Sequence, residues 1–195
     1  MRSAIALHSL IFFATAQAAS LRDGDIIFHG SKSAQSAAIE LATHSPYSHM
    51  GVILHRDGKP FVYEAIATVR YTPLPRWTAR GDGGEYVVKR LKTGLTTAQT
   101  KKLRASAAAF DGRPYDLYFE WSNDRIYCSE LVWKMYQRAL GLEIGARQKL
   151  REFDLSTGPV GAKMRERYGS RVPLDEPVIS PAAMFDSPLL EIVSH

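Results

Sequence analysis

The stretch from His49 to Leu74 constrains the fold more than any other. "HMGVILH" (His49–His55) and "PFVYEAIATVRYTPL" (Pro60–Leu74) are β-branched and aromatic runs joined by "RDGK". An Asp-Gly step between two such runs is a hairpin signal, because the tight turn needs two residues at positive φ. "DGDIIFHG" (Asp23–Gly30) reads as a short strand before the hairpin and "EYVVKRL" (Glu85–Leu91) as one after it. The connections between these runs are too short for crossover helices, so the sheet is expected to be antiparallel.

Helical spacing occupies the rest. "SAQSAAIELAT" (Ser33–Thr43) opens on a Ser cap and is expected to stop at Pro46, and "TTAQTKKLRASAAAF" (Thr96–Phe110) opens on a Thr cap. Cys128–Leu140 carries Leu131, Val132, Met135, Tyr136 and Leu140 on helical spacing and ends at Gly141. A weaker helix is expected over Val160–Tyr168, and "PRWTARGDGG" reads as a loop or single helical turn. The expected class is α+β, a central antiparallel sheet packed against helices.

The opening "MRSAIALHSLIFFATAQAAS" has one cation, an apolar run and the small-x-small step Ala16-Gln17-Ala18, the pattern of a secretory signal peptide over residues 1–18. Residues 19–195 suffice for one domain. The formal charge of +5 is one unit lower without Arg2, and with a pI near 9.3 it would favour peripheral contact with anionic cell-envelope surfaces. Lys and Arg are scattered and no nucleic-acid recognition motif is present, so nucleic acid is not expected as a partner.

Cys128 is the single cysteine, so an exported chain cannot use it in an internal disulfide. It is an intermolecular link, a small buried hydrophobe or a reactive thiol. At the expected N-terminus of a helix it would feel the positive end of the helix dipole, which favours the thiolate. A thiolate nucleophile needs an imidazole, and the imidazole needs an orienting group. His29, His44, His49 and His55 compete for the first role. Glu64 sits in the strand paired with that of His49; it either faces solvent or meets His49 across the hairpin.

"RDGDIIF", "SAQSAAIELAT", "YSHMGVI", "VYEA", "GEYVVKRLK", "GRPYDLYF" and "YCSELVWKMY", in this order and followed by "ERYGSRVPLDEPVISP", resemble the YiiX/YebB-like enzymes. These are the circularly permuted branch of the NlpC-type papain-like cysteine hydrolases. The resemblance implies a permuted papain-like fold with the nucleophile at a helix N-terminus, and the histidine strand precedes that helix here as it does there. It implies Cys128 as nucleophile, His49 as general base and acid, and Glu64 as the orienting member. It also implies Tyr115, in "GRPYD", as a hydroxyl that helps bind the oxyanion.

Rival chemistries lack their signatures. His44 and His49 are separated by Pro46 and cannot share a helix face, and no paired-Cys or H-E-x-x-H metal pattern occurs, so no metal or cofactor is expected. G-x-S-x-G is absent, and "GDGG" lacks the spacing of a phosphate loop. The expected activity is amide cleavage through a thioester acyl-enzyme on an envelope substrate, with peptidoglycan peptides the first choice. A lipid acyl hydrolase or acyltransferase with the same triad, and an inactive binding protein, are the alternatives. An apolar rim at Cys128 would favour lipids, a polar groove peptides; the tail from Arg147 onward has no assigned role.

Overall fold

The computed structural model describes residues 20–193; the expected signal peptide lies outside them. The hairpin signal is realised to the residue. β2 (His49–Arg56) and β3 (Lys59–Ala65) are joined by Asp57 and Gly58 alone, at φ 50° and 72°, and pair from Arg56↔Lys59 to Val52↔Tyr63. The left-handed pair gives a turn whose twist matches that of the strands.

The long run after the turn is not one strand. Beyond Ala65 there is almost nothing left of β2 to pair with, because β2 begins at His49. The chain reverses at Ile66–Thr68 and returns as β4 (Val69–Pro73), with Ala65↔Val69 and Glu64↔Arg70 in register. No Gly or Pro marks this second turn. With β1 (Ile26–His29), β5 (Val87–Leu91) and β8 (Leu190–Ile192), these strands form a six-stranded antiparallel sheet ordered β4-β3-β2-β1-β5-β8.

Alternation divides the sheet into two faces. Ile26, Phe28, Met50, Val52, Leu54, Tyr63 and Ala65 join the main core with α4 (Cys128–Leu140), while Ile27, Ile53, Val62 and Val88 form a smaller cluster around Trp77 of α2 (Leu74–Thr78). In α4 every residue from Cys128 to Tyr136 is buried, a stretch wider than its apolar stripe. The extra cover comes from α3 (Thr97–Ala108), which packs along α4, and from α6 (Pro181–Phe185). Each fully buried Leu, Val or Met here contributes roughly 1.5–3 kcal/mol, which fixes the position of the first turn of α4.

The caps agree with the sequence. Ser33 accepts from Ser36 N–H at the start of α1 (Ala34–Thr43), Thr96 and Gln99 form a capping box on α3, and Gly141 ends α4 at φ 69°. α1 stops at His44 in the left-handed region (φ 50°), before Pro46 is reached. The tail is structured too: β6 (Gln148–Lys149) pairs with β7 (Pro177–Val178), α5 (Gly158–Tyr168) lies along α1, and β8 joins the sheet edge. Among the described residues no helix is long and apolar enough to cross a membrane.

Candidate active site

Cys128 is the first residue of α4 and is 3% exposed. Helix geometry directs the unpaired N–H groups of this turn toward it. The segment Val178–Ser180 is fastened to the same turn: Tyr127 Oη accepts from Ile179 N–H at 3.1 Å, and Ser129 Oγ donates to Ile179 O at 2.8 Å. The tail motif therefore borders the thiol.

His49 and Glu64 come from the hairpin. Continuing the β2–β3 register sets Glu64 opposite Gly51, one diagonal step from His49 on the same face. A side chain at Gly51 would strike Val62 and the Tyr63 carbonyl and crowd Glu64. Its absence lets the carboxylate lean across, and His49 Nε2 lies 2.6 Å from Glu64 Oε2. A carboxylate only accepts, so the proton is on Nε2 and Nδ1 is left for the other side-chain partner of His49, the Cys128 thiol.

Glu64 is fully buried and accepts from more than His49. Thr72 Oγ1 donates at 2.6 Å, and Arg80 Nη2 reaches both carboxylate oxygens at 2.7 and 2.6 Å. Burial opposes the charge, but the bonds from His49, Arg80 and Thr72 outweigh it and hold Glu64 down to about 2. Burial likewise opposes a charge on His49, and the interactions with Cys128 and then Glu64 overcome it, raising the imidazole to about 9. Both directions favour an imidazolium at His49 beside a fixed carboxylate at Glu64.

The other histidines are placed apart in role. His29 pairs with His49 in the β1–β2 register and packs edge-on to Trp77 at 4.1 Å. Its burial, then the nearby His49 charge, push it down to about 4, so it is neutral; Nδ1–H donates to Gly30 O at 2.9 Å. His55 pairs with Asp23 at the far end of β2, and exposed His44 lies 3.5 Å from Asp154.

Tyr115 accepts at its hydroxyl from Gln35 Nε2 at 3.0 Å, and Gln35 Oε1 accepts from Arg167 at 3.0 Å. Burial, then the proximity of Cys128, holds the phenol well above its ordinary pKa. It stays protonated, and having accepted from Gln35 it keeps its own proton to donate. Sequence reasoning missed Arg80, Thr72 and Gln35. A signal for Arg80 existed: a carboxylate in an apolar strand needs more than one imidazole, and Gly51 within a strand marks close approach.

Two cavities meet at this cluster. Cys128 lines a slot between α1 and α5, and His49 lines a separate groove with Ser31, Ser48, Arg80 and Tyr115.

Residues 20–194 match the family described as permuted papain-like amidase enzyme, YaeF/YiiX, C92 family. Escherichia coli (strain K12) YiiX, described as uncharacterized, is 50% identical over 194 residues, spanning 100% of this chain and 96% of that protein. The crystal structure of metalloprotein YiiX from Escherichia coli O157:H7 is 54% identical with a TM-score of 0.87, covering 89% of this chain and 96% of that one. With an antiparallel sheet whose histidine strand precedes the cysteine helix, the chain belongs to the permuted papain-like amidases of the YaeF/YiiX family, a family of cysteine hydrolases.

Proposed function

We propose that this protein is an exported cysteine amidase in which Cys128 is the nucleophile, His49 the general base and acid, Glu64 the orienting carboxylate and Tyr115 an oxyanion donor. The observation that carries the reading is the single line of contacts from the buried Glu64 through His49 to Cys128 at a helix N-terminus. The Cys128 sulfur attacks the amide carbonyl, and the oxyanion takes hydrogen bonds from the Cys128 N–H and the Tyr115 hydroxyl. The C–N bond breaks as the His49 proton passes to the leaving amine. Water then attacks the thioester, giving its proton to His49, and the C–S bond breaks to release a carboxylic acid and restore the thiolate–imidazolium pair.

Export rests on the N-terminal signal pattern, and the basic surface suits the anionic cell envelope. Wall peptides contain the amide bond such an enzyme needs. The lining of the slot beside Cys128 is a specific observation for the second reading, a lipid-like acyl group: Ala38, Ile39, Ala42, Phe153, Leu155 and Val160 are apolar. The related protein from Escherichia coli O157:H7 is described as a metalloprotein. Here Glu64 is already saturated by His49, Arg80 and Thr72, and among the described residues no group of three or more His, Cys, Asp or Glu side chains could hold a metal. The mechanism accordingly routes no step through one.

The test is the rate of iodoacetamide labelling against pH in the wild type and in His49→Ala. An apparent thiol pKa well below the ~8.5 of a free cysteine, moved upward in the variant, is expected. Slow labelling that is identical in both would sink the assignment.

A further inference from the structure

Tyr115 is set beside the start of α4 by its backbone. It pairs with Ile126, two residues ahead of Cys128, and Asp116 N–H donates to Ile126 O at 3.2 Å. Its hydroxyl still turns about the C–O bond, so the backbone alone does not decide where the proton points. Gln35, the second residue of α1, and Arg167, near the end of α5, decide it. A guanidinium only donates, so the amide oxygen of Gln35 faces Arg167 and its NH2 group faces Tyr115. The phenol oxygen must then accept, and its own proton is turned away from Gln35.

Arg167 is itself held in place. Its guanidinium lies over the Phe119 ring at 4.6 Å, and that ring meets Tyr127, the residue before Cys128, edge-on at 5.1 Å. Phe119 has φ 52°, a left-handed conformation that strains a bulky residue and persists only where the surroundings impose it, above all at functional sites. Here Asp116 imposes it by accepting from Tyr118 N–H and Glu120 N–H at 2.8 and 2.6 Å, on either side of Phe119, while Tyr168 Oη donates to Tyr118 O. The charge on Arg167 matters as well as its position. An amide whose oxygen accepts from a cation is a stronger donor, and the hydroxyl that accepts from that amide becomes a stronger donor in turn, because successive hydrogen bonds polarise one another.

We propose that Gln35 and Arg167 are positioning residues for the oxyanion: Arg167 fixes the Gln35 amide, and the amide turns the Tyr115 proton toward the carbonyl oxygen of the substrate. This rests on the amidase reading above and adds no bond change to it. Neither residue transfers a proton. The Tyr115 O–H bond stays intact and its hydrogen bond is offered twice, when the C–S bond forms and when water attacks the thioester. The relay acts on the oxyanion alone and leaves activation of the thiol to His49. It also gives α5, part of the tail, a role in the reaction.

The experiment is hydrolysis of p-nitrophenyl acetate, read as kcat and KM on the pH plateau, beside iodoacetamide labelling of Cys128. The ester passes through the same tetrahedral oxyanion, while its nitrophenolate leaves without a proton from His49; labelling displaces iodide and forms no oxyanion. Gln35→Met frees the hydroxyl and should lower kcat about tenfold with KM little changed and labelling within about twofold of wild type. Gln35→Glu is closer in shape yet should cost more, about 10²-fold and as much as Tyr115→Phe, because a carboxylate only accepts and draws the Tyr115 proton onto itself. Arg167→Met should cost about fivefold, and it guards, from a second helix, against a Gln35 variant that fails to fold. In a Tyr115→Phe background, Gln35→Met and Arg167→Met should each alter kcat by less than about twofold, since no proton is left to turn. A Glu variant milder than the Met variant, or losses that multiply with that of Tyr115→Phe, would show Gln35 acting through shape or substrate contact and overturn the proposal. The amidase reading fails separately: a wild-type thiol that labels slowly and is unmoved by His49→Ala defeats both, whereas an activated thiol with multiplying losses defeats the relay alone.

Discussion

Two glutamates flank the thiol, both fully buried, and the protein treats them in opposite ways. Glu64 lies on the hairpin and receives bonds from His49, Thr72 and Arg80. Glu130 lies two residues beyond Cys128, at the third position of α4, with Lys134 at 2.6 Å and the Tyr127 N–H at 3.3 Å. Burial raises both; the donors on Glu64 reverse that and bring it to about 2, while on Glu130 burial wins and leaves it near 7. The number and charge of the donors, not depth, decide whether a buried carboxylate keeps its charge. Glu64 is built to face an imidazolium. Glu130 ties the start of α4 to the preceding loop, with Lys134 also bonding Ser122 O and Asn123 Oδ1.

The comparison is sharpest when the chemistry itself is removed. Cys128→Ser should lower kcat for a reactive amide by roughly 10⁴-fold or more, since a serine hydroxyl in this setting lacks the thiol's acidity. Circular dichroism should be unchanged. Residual turnover above about a tenth of wild type would mean the thiol is not the nucleophile.

Glu64→Gln comes next. It keeps the shape but removes the charge that fixes the Nε2–H tautomer of His49 and leaves the Arg80 guanidinium without a counter-charge. Loss of about 10²–10⁴-fold in kcat is expected, with stability lower by about 3–5 kcal/mol from the broken buried pair. The pH profile of labelling distinguishes orientation from mere destabilisation: the Cys128 pKa should rise in folded Glu64→Gln at low temperature. A profile identical to wild type would assign Glu64 to structure alone. Tyr115→Phe should cost less, about 10²-fold in kcat with KM little changed, because one oxyanion donor of two is lost.

Much of this was legible in the chain. The Asp57-Gly58 turn fixed the β2–β3 register, and that register sets Glu64 one diagonal from His49. Cys128–Leu140 was readable from apolar spacing and the Gly141 stop. The reversal at Ile66–Thr68 was not, since it is imposed by the end of β2 and leaves no Gly or Pro to mark it. Arg80 and Gln35 were hidden for a related reason: each reaches its partner over a long sequence separation from a loop or helix whose local pattern is set by other needs. The slot beside Cys128 is a property of what two helices fail to fill, and only their relative placement reveals it.

The smallest effect on activity is expected at Glu130, and there the two glutamates can be separated by pH. Glu64, depressed from 4.5 to about 2, contributes stability that is present above pH 4.5 and is lost as pH falls toward 2. Glu130 has the reverse sign: raised from 4.5 to about 7, it favours the folded state when protonated, so stability drains away as pH rises from 4.5 through 7. His29, depressed to about 4, titrates across part of that window with the opposite slope, and so the quantity to follow is the difference between variant and wild type. Glu130→Gln should turn over amides within about threefold of wild type, because its side chain points to Lys134 and the Tyr127 N–H, away from the sulfur's partners. In urea unfolding its stability relative to wild type should climb by about 3 kcal/mol between pH 4.5 and 7.5. A flat difference would show Glu130 charged throughout, and the contrast with Glu64 would then lie in the partners alone and not in the protonation they produce.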